Sequence, residues 1–246
     1  MAKSNGVILW AGASLLDGAP IVAIATGLNG KSANTKTGGM VQTWILRSDV
    51  SPLDAIRTGA DKSVCGGCIH RPNLKTGKRT CYVNIGQAPR SIFLAFKRGR
   101  YNYLLTGDYA ATFAGRAVRF GAYGDPAAVP VAVWENVKRT CGMYTGYTHQ
   151  WRSEKFSRLL SICQASCETV ADVENANRRG WGTFRVVPVG GTVPEAETCP
   201  ASAEGGKVAT CETCGMCNGR KGLNIAIIAH GATAKRYTGG RELSVL

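Results

Sequence analysis

Apolar residues come in short runs cut by Gly, Pro, Asn and Asp, and these runs set the expected elements. The stretch from Val7 to Leu16 is interrupted by Gly12 and Ser14 and closed by Asp17, which predicts a buried first strand and a turn. Residues 19–26 are apolar and β-rich and predict a buried strand; residues 41–46 predict another. Between them, residues 29–39 are rich in Gly, Asn, Ser and Lys and predict a loop. Ser51 to Gly59 carries full helix punctuation: Ser51 as N-cap, Pro52 at the first helical position, Asp54 at the capping-box position and Gly59 as stop. Pro89 opens a second helix, with Ile92, Phe93 and Phe96 on one face and Gly99 at its end.

From residue 117 onward strands and helices alternate. Strands are predicted over 117–121, 158–163, 183–189 and 224–229. Helices are predicted over 130–139, with Val133, Trp134 and Val137 inward, and over 170–179, capped by Thr169 and Asp172 and stopped by Gly180. This alternation predicts an α/β fold with a largely parallel sheet, barrel-like and of an incomplete TIM type. One α/β domain is expected over residues 1–246, with a basic, cysteine-containing insertion at 62–100 and a C-terminal metal-binding segment at 199–230. Sites in such folds lie at the carboxyl ends of the strands.

Charge narrows the partners. Thirty Lys and Arg stand against 16 Asp and Glu, a net charge of +14, which favours a polyanion such as DNA or RNA. No Asp or Glu lies between Asp61 and Asp108, and this stretch holds Arg71, Lys75, Lys78, Arg79, Arg90, Lys97, Arg98 and Arg100, followed by Tyr101. Cations beside aromatic rings suit phosphates and stacked bases. Lys97, Arg98 and Arg100 also suit the C-terminal end of a helix dipole, and Tyr101 also suits the core. Lys31 and Lys36 stand in the 29–39 loop, where they can meet phosphates. Gly30-Lys31-Ser32 is not a P-loop, because position 25 is Ala where that motif needs Gly. The first apolar run is too short to span a bilayer, so the protein is expected in the cytoplasm, where its ten cysteines read as metal ligands or thiols.

Cys211, Cys214 and Cys217 follow one another at two-residue gaps, and Cys199 can supply a fourth thiolate. A four-Cys zinc site fits this spacing, as does a [4Fe–4S] cluster; His230 can replace Cys199. Cys65 and Cys68 form a second knuckle, with Cys81 further on. His70 would complete a three-Cys, one-His zinc site; without it, three Cys with an open position suit an iron–sulfur cluster holding a small molecule. The two sets can also pair into one site. Cys141, Cys163 and Cys167 read as buried small hydrophobes.

Asp125, in Gly124-Asp125-Pro126 after a strand, is the leading catalytic candidate as nucleophile, general base or ribose anchor. An Asp that merely starts a Pro turn is the alternative. Glu168 comes second, and His149, beside Gln150 and Arg152, is a further catalytic candidate that could bind substrate, with a structural histidine as the alternative.

A basic α/β chain with a strand-end carboxylate and a C-terminal Cys group resembles the tRNA-guanine transglycosylase family, in particular its phage relatives that insert 7-deazaguanine bases into DNA. The resemblance implies base exchange on a barrel, with Asp125 as nucleophile and zinc held by Cys211, Cys214, Cys217 and His230. Through Cys65, Cys68 and Cys81-Tyr82 the chain also resembles radical-SAM-type barrels, which implies an iron–sulfur cofactor. Three functions follow as expectations: a base-modifying transglycosylase, an iron–sulfur enzyme, and a non-catalytic zinc protein that binds nucleic acid.

Overall fold

The computed structural model describes residues 4–30 and 34–239; Lys31 and Ser32 lie outside the described residues. Among the described residues nine strands form one sheet: β1 (Gly6–Ala13), β2 (Pro20–Thr26), β3 (Val41–Arg47), β4 (Asn102–Tyr103), β5 (Ala117–Tyr123), β6 (Met143–Thr148), β7 (Gln164–Cys167), β8 (Thr183–Val187) and β9 (Asn224–Ile228). Their order is β4-β1-β2-β3-β5-β6-β7-β8-β9. β1 and β2, and β2 and β3, pair antiparallel, while β3 and the five strands after it pair parallel. The expected α/β class and largely parallel sheet are therefore present. The sheet does not close: β4 and β9 stand at its two ends, because β1 and β2 extend it from β3 instead of bringing β3 to β9. No described helix is long and apolar enough to cross a membrane.

The helices are α1 (Pro52–Thr58), α2 (Lys62–Cys65), α3 (Ala88–Lys97), α4 (Tyr109–Phe113), α5 (Val131–Thr140), α6 (Val170–Arg178) and α7 (Cys211–Cys214). The predicted caps hold. Ser51 accepts from the Asp54 amide, Gly59 takes φ 83°, and Thr169 and Asp172 close a full capping box. Pro89, Ile92 and Phe93 of α3 are buried, as are Val133, Trp134 and Val137 of α5. Residues 62–100 belong to the long connection between β3 and β5, and α3 packs on α1 and β3, so this segment is part of the fold.

Two predicted features change. Residues 158–163 are not a strand; Glu154–Ser161 is 3-10 helix, and the next strand starts at Gln164. Leu159, Ile162 and Cys163 are the buried members of that run, a helical spacing that a short apolar run does not reveal by itself. β6, with the sequence MYTGYT, carries hydroxyls and a glycine that hide its strand character.

Alternation along the parallel strands separates two faces. On β5, Phe120 turns to the helix side, where its ring lies 5.2 Å from that of Trp134. Arg119, Gly121 and Tyr123 turn the other way, into a cavity. Tyr147 of β6, Phe184 and Val186 of β8 and Ile227 of β9 line the same cavity.

Candidate active site cavity

The cavity has a volume of about 450 Å³ and is bordered by the ends of β5 to β9 and by the segments carrying Cys65, Cys68 and Cys81. His70, Asp125, His149, Cys211, His230 and Tyr237 also reach it. Most of the catalytic and metal-ligand candidates thus meet at one place, at the carboxyl ends of the parallel strands.

Asp125 is buried beneath the cavity. Its Oδ1 accepts from the Ala127 amide at 3.0 Å and the Thr148 hydroxyl at 2.7 Å. Its Oδ2 accepts from the His149 amide at 2.8 Å and from Gln150 Nε2 at 3.3 Å. Burial raises its pKa, and these four donors oppose the rise. Gly124 takes φ +85° in front of it, and a Cβ there would stand 2.6 Å from Ile45 Cβ, so the turn requires glycine.

Gln150 connects this carboxylate to the cysteine knuckle. Its Nε2 also reaches the Cys65 carbonyl at 3.5 Å, and its Oε1 accepts from the Gly67 amide at 3.4 Å. Gly66 has φ +56°, and a Cβ on it would stand 2.5 Å from Gln150 Nε2. Gly66 is what lets the backbone pass under that side chain.

Cys65, Cys68 and Cys81 all border the cavity. Burial raises each thiol, and Cys65 is raised further by Cys68 and Cys81 nearby. The Cys81 amide donates to the His70 carbonyl at 3.0 Å, which joins the two arms of the segment. Thr233 clasps it from the C-terminal side, donating to the carbonyls of Thr80 and Cys81, each at 3.1 Å. His70 turns to Thr80 Oγ1 at 2.8 Å and packs on Tyr237, and burial pushes its pKa down to about 4.

Cys199, Cys211, Cys214 and Cys217 form a second thiol group beside β8 and β9. Cys199 is raised first by burial and feels Cys214; Cys217 is pushed to about 12 by burial and feels the other three. The Cys211 amide donates to the Lys36 carbonyl at 2.8 Å, and the Cys217 carbonyl accepts from Gly146 at 2.9 Å, so the group is tied to the 34–39 loop and to β6. His230 lines the cavity together with Cys211, and its ring lies 5.4 Å from that of Tyr82. No group of three or more His, Cys, Asp or Glu among the described residues is drawn together tightly enough to hold a metal ion. The donor chemistry of both thiol sets nonetheless fits a thiophilic metal.

Behind His149 lies Glu168, buried, with Oε1 3.6 Å from His149 Nε2 and Oε2 3.3 Å from Arg152. Arg152 also holds Asp172 at 2.5 Å. Burial and the neighbouring Asp172 carboxyl raise the Glu168 pKa to about 7, against the pull of Arg152.

The basic residues divide. Arg71 is engaged on Asp61 through two hydrogen bonds, 2.8 and 2.7 Å, and on the Gly59 and Gly66 carbonyls; its fork braces the knuckle and is not presented to a phosphate. Tyr101 packs against the core. Lys75, Lys78, Arg90, Lys97, Arg98 and Arg100 are exposed, and Arg79 is half-buried. Cys163 and Cys167 are buried, as expected of small hydrophobes, and Cys141 is half-buried.

Arg119, Tyr147 and Tyr237 are cavity residues to which sequence reasoning gave no role. Arg119 did carry a signal: a charge inside the otherwise apolar strand AVRFGAY.

No family model, curated protein or solved structure gives a significant match to the chain.

Proposed function

We propose that the protein is an enzyme whose substrate occupies the 450 Å³ cavity and whose metal centre is held by Cys65, Cys68 and Cys81 as an iron–sulfur cluster with one position open. The observation that carries this reading is that three half-buried thiols, all from the connection after β3, border one cavity at the carboxyl edge of the sheet. Five parallel strands, β5 to β9, beside one cavity also support the incomplete-barrel description. Thiols with raised pKa values become thiolates when a bound cation offsets their charge. When bound, such a cluster supplies one-electron chemistry.

The chain's own residues have separate tasks. Asp125 and Gln150 hold the knuckle against the ends of β5 and β6. His149 and Glu168 can hold or pass a proton at His149 Nε2, on the cavity wall. The apolar walls from Phe184, Val186 and Ile227 exclude water. Base exchange with Asp125 as nucleophile is less well supported, because both its oxygens already accept two hydrogen bonds each. The Cys199, Cys211, Cys214 and Cys217 group suits a structural zinc or a second cluster. Exposed Lys97, Arg98 and Arg100 support a nucleic-acid partner.

Anaerobic purification with a visible spectrum and metal analysis tests the reading. A brown protein holding iron and sulfide supports it. A colourless protein that takes up only zinc, even when offered iron and sulfide, contradicts it.

A further inference from the structure

One side of the cavity, lined by Lys36, Tyr82, Arg119, Tyr147 and Phe184, is cationic and aromatic. Arg119 points into it from β5, and its buried Nε has no hydrogen-bond partner. One Nη donates to the Tyr82 hydroxyl. Among the described residues no carboxylate forms an ion pair with Arg119. Lys36 lines the same cavity, and its charge and that of Arg119 both bear on Cys211 and His230. The two nearby acids are engaged elsewhere: Glu204 accepts from the Ile228 amide at 2.6 Å and Glu212 from the Gly39 amide at 2.6 Å.

Leaving guanidinium donors buried without acceptors is costly, unless a ligand supplies the acceptors. A planar fork beside a lysine suits a phosphate, which can take both hydrogen bonds and charge. The aromatic surroundings add a second requirement. The Tyr147 ring lies 6.0 Å from the guanidinium carbon and 4.5 Å from Phe184, and Tyr82 packs on His230. Flat rings beside a phosphate grip favour a base.

We infer that Arg119 and Lys36 form the phosphate subsite of this cavity, and that its ligand is a nucleotide unit whose base lies against Tyr82, Tyr147 and Phe184. The inference deepens the reading of the cavity as the substrate site, and it rests on that part alone, not on the metal.

Titration calorimetry on the full chain with adenosine 5′-monophosphate, adenosine and benzoate tests it. The nucleotide is expected to bind at least about tenfold more tightly than adenosine. Arg119→Gln is expected to remove about tenfold or more of nucleotide affinity and to leave adenosine unchanged, with Arg119→Lys in between. Circular dichroism melts establish that each variant folds; should Arg119→Gln fail to fold, Lys36→Gln carries the comparison with a smaller loss. Equal nucleotide binding by wild type and Arg119→Gln overturns the inference, as does binding of benzoate alone or of no probe. A variant that loses metal from the Cys211 group with nucleotide binding unchanged also overturns it, since Arg119 then serves those thiolates. A protein without iron that binds the nucleotide through Arg119 keeps this inference and loses the cluster.

Discussion

His149 donates its backbone amide to Asp125 Oδ2 across 2.8 Å, which fixes the end of β6 to the turn that follows β5. The same carboxylate takes the Thr148 hydroxyl and, through Gln150, reaches the Cys65–Gly67 backbone. The strand-end Asp that resembles a nucleophile by its position is, by its hydrogen bonds, the junction between the sheet and the cysteine knuckle.

Asp125→Asn turns one acceptor into a donor that faces existing donors. With a net hydrogen bond near 1 kcal/mol and a buried unsatisfied group costing about 1–3 kcal/mol, the variant is expected to lose roughly 2–4 kcal/mol. Urea denaturation reads this directly. An Asn variant with wild-type stability and no activity would return Asp125 to a chemical role.

Glu168 gives stability a pH dependence of defined sign. Its folded pKa of about 7 stands above its ordinary 4.5, so the fold holds a proton that the unfolded chain releases. The contribution, on the order of 3 kcal/mol, is full below the unfolded value and is lost as pH rises through about 7. Glu168→Gln mimics the protonated side chain. It is expected to match wild type near about pH 5 and to exceed it near about pH 8 in chemical denaturation. A variant and wild type whose stability curves run parallel across that window would exclude the assignment.

Arg71 and the α3 cations are expected to respond in opposite ways. Arg71→Ala leaves Asp61, 2% exposed, as a buried unpaired charge and should cost about 3–5 kcal/mol. Replacing Lys97, Arg98 and Arg100 by Ala should change stability by no more than about 0.5 kcal/mol each. The same triple replacement should weaken nucleic-acid binding and flatten its salt slope by about one for each phosphate no longer neutralised. Filter binding across a salt series measures this; an unchanged slope removes these residues from any nucleic-acid surface.

Much of this is legible in the chain. Ser51, Pro52 and Gly59, and Thr169, Asp172 and Gly180, mark their helices because capping is a local matter of a side chain and the nearest amides. β2 and β9 are apolar throughout their buried centres and declare themselves as strands. β6 and β7 are hidden because Thr145, Thr148, Gln164 and Ser166 are polar yet buried, a choice made by tertiary packing. The cysteine knuckle and Asp125 are visible as motifs. Their link through Gln150 is not, since it joins residues more than 80 positions apart. Arg71 passes for a phosphate ligand because nothing local to 62–100 identifies Asp61 as the partner that engages its guanidinium.

The most direct test of the central claim is iron and sulfide per chain after anaerobic reconstitution, for wild type and for the combined Cys65→Ala, Cys68→Ala, Cys81→Ala variant, with a fold check on each. Wild type is expected to hold about four irons for a [4Fe–4S] cluster at this site, and the variant to lose them while remaining folded. If wild type takes up no iron, or the folded variant holds as much as wild type, the cavity thiols are not the cluster site.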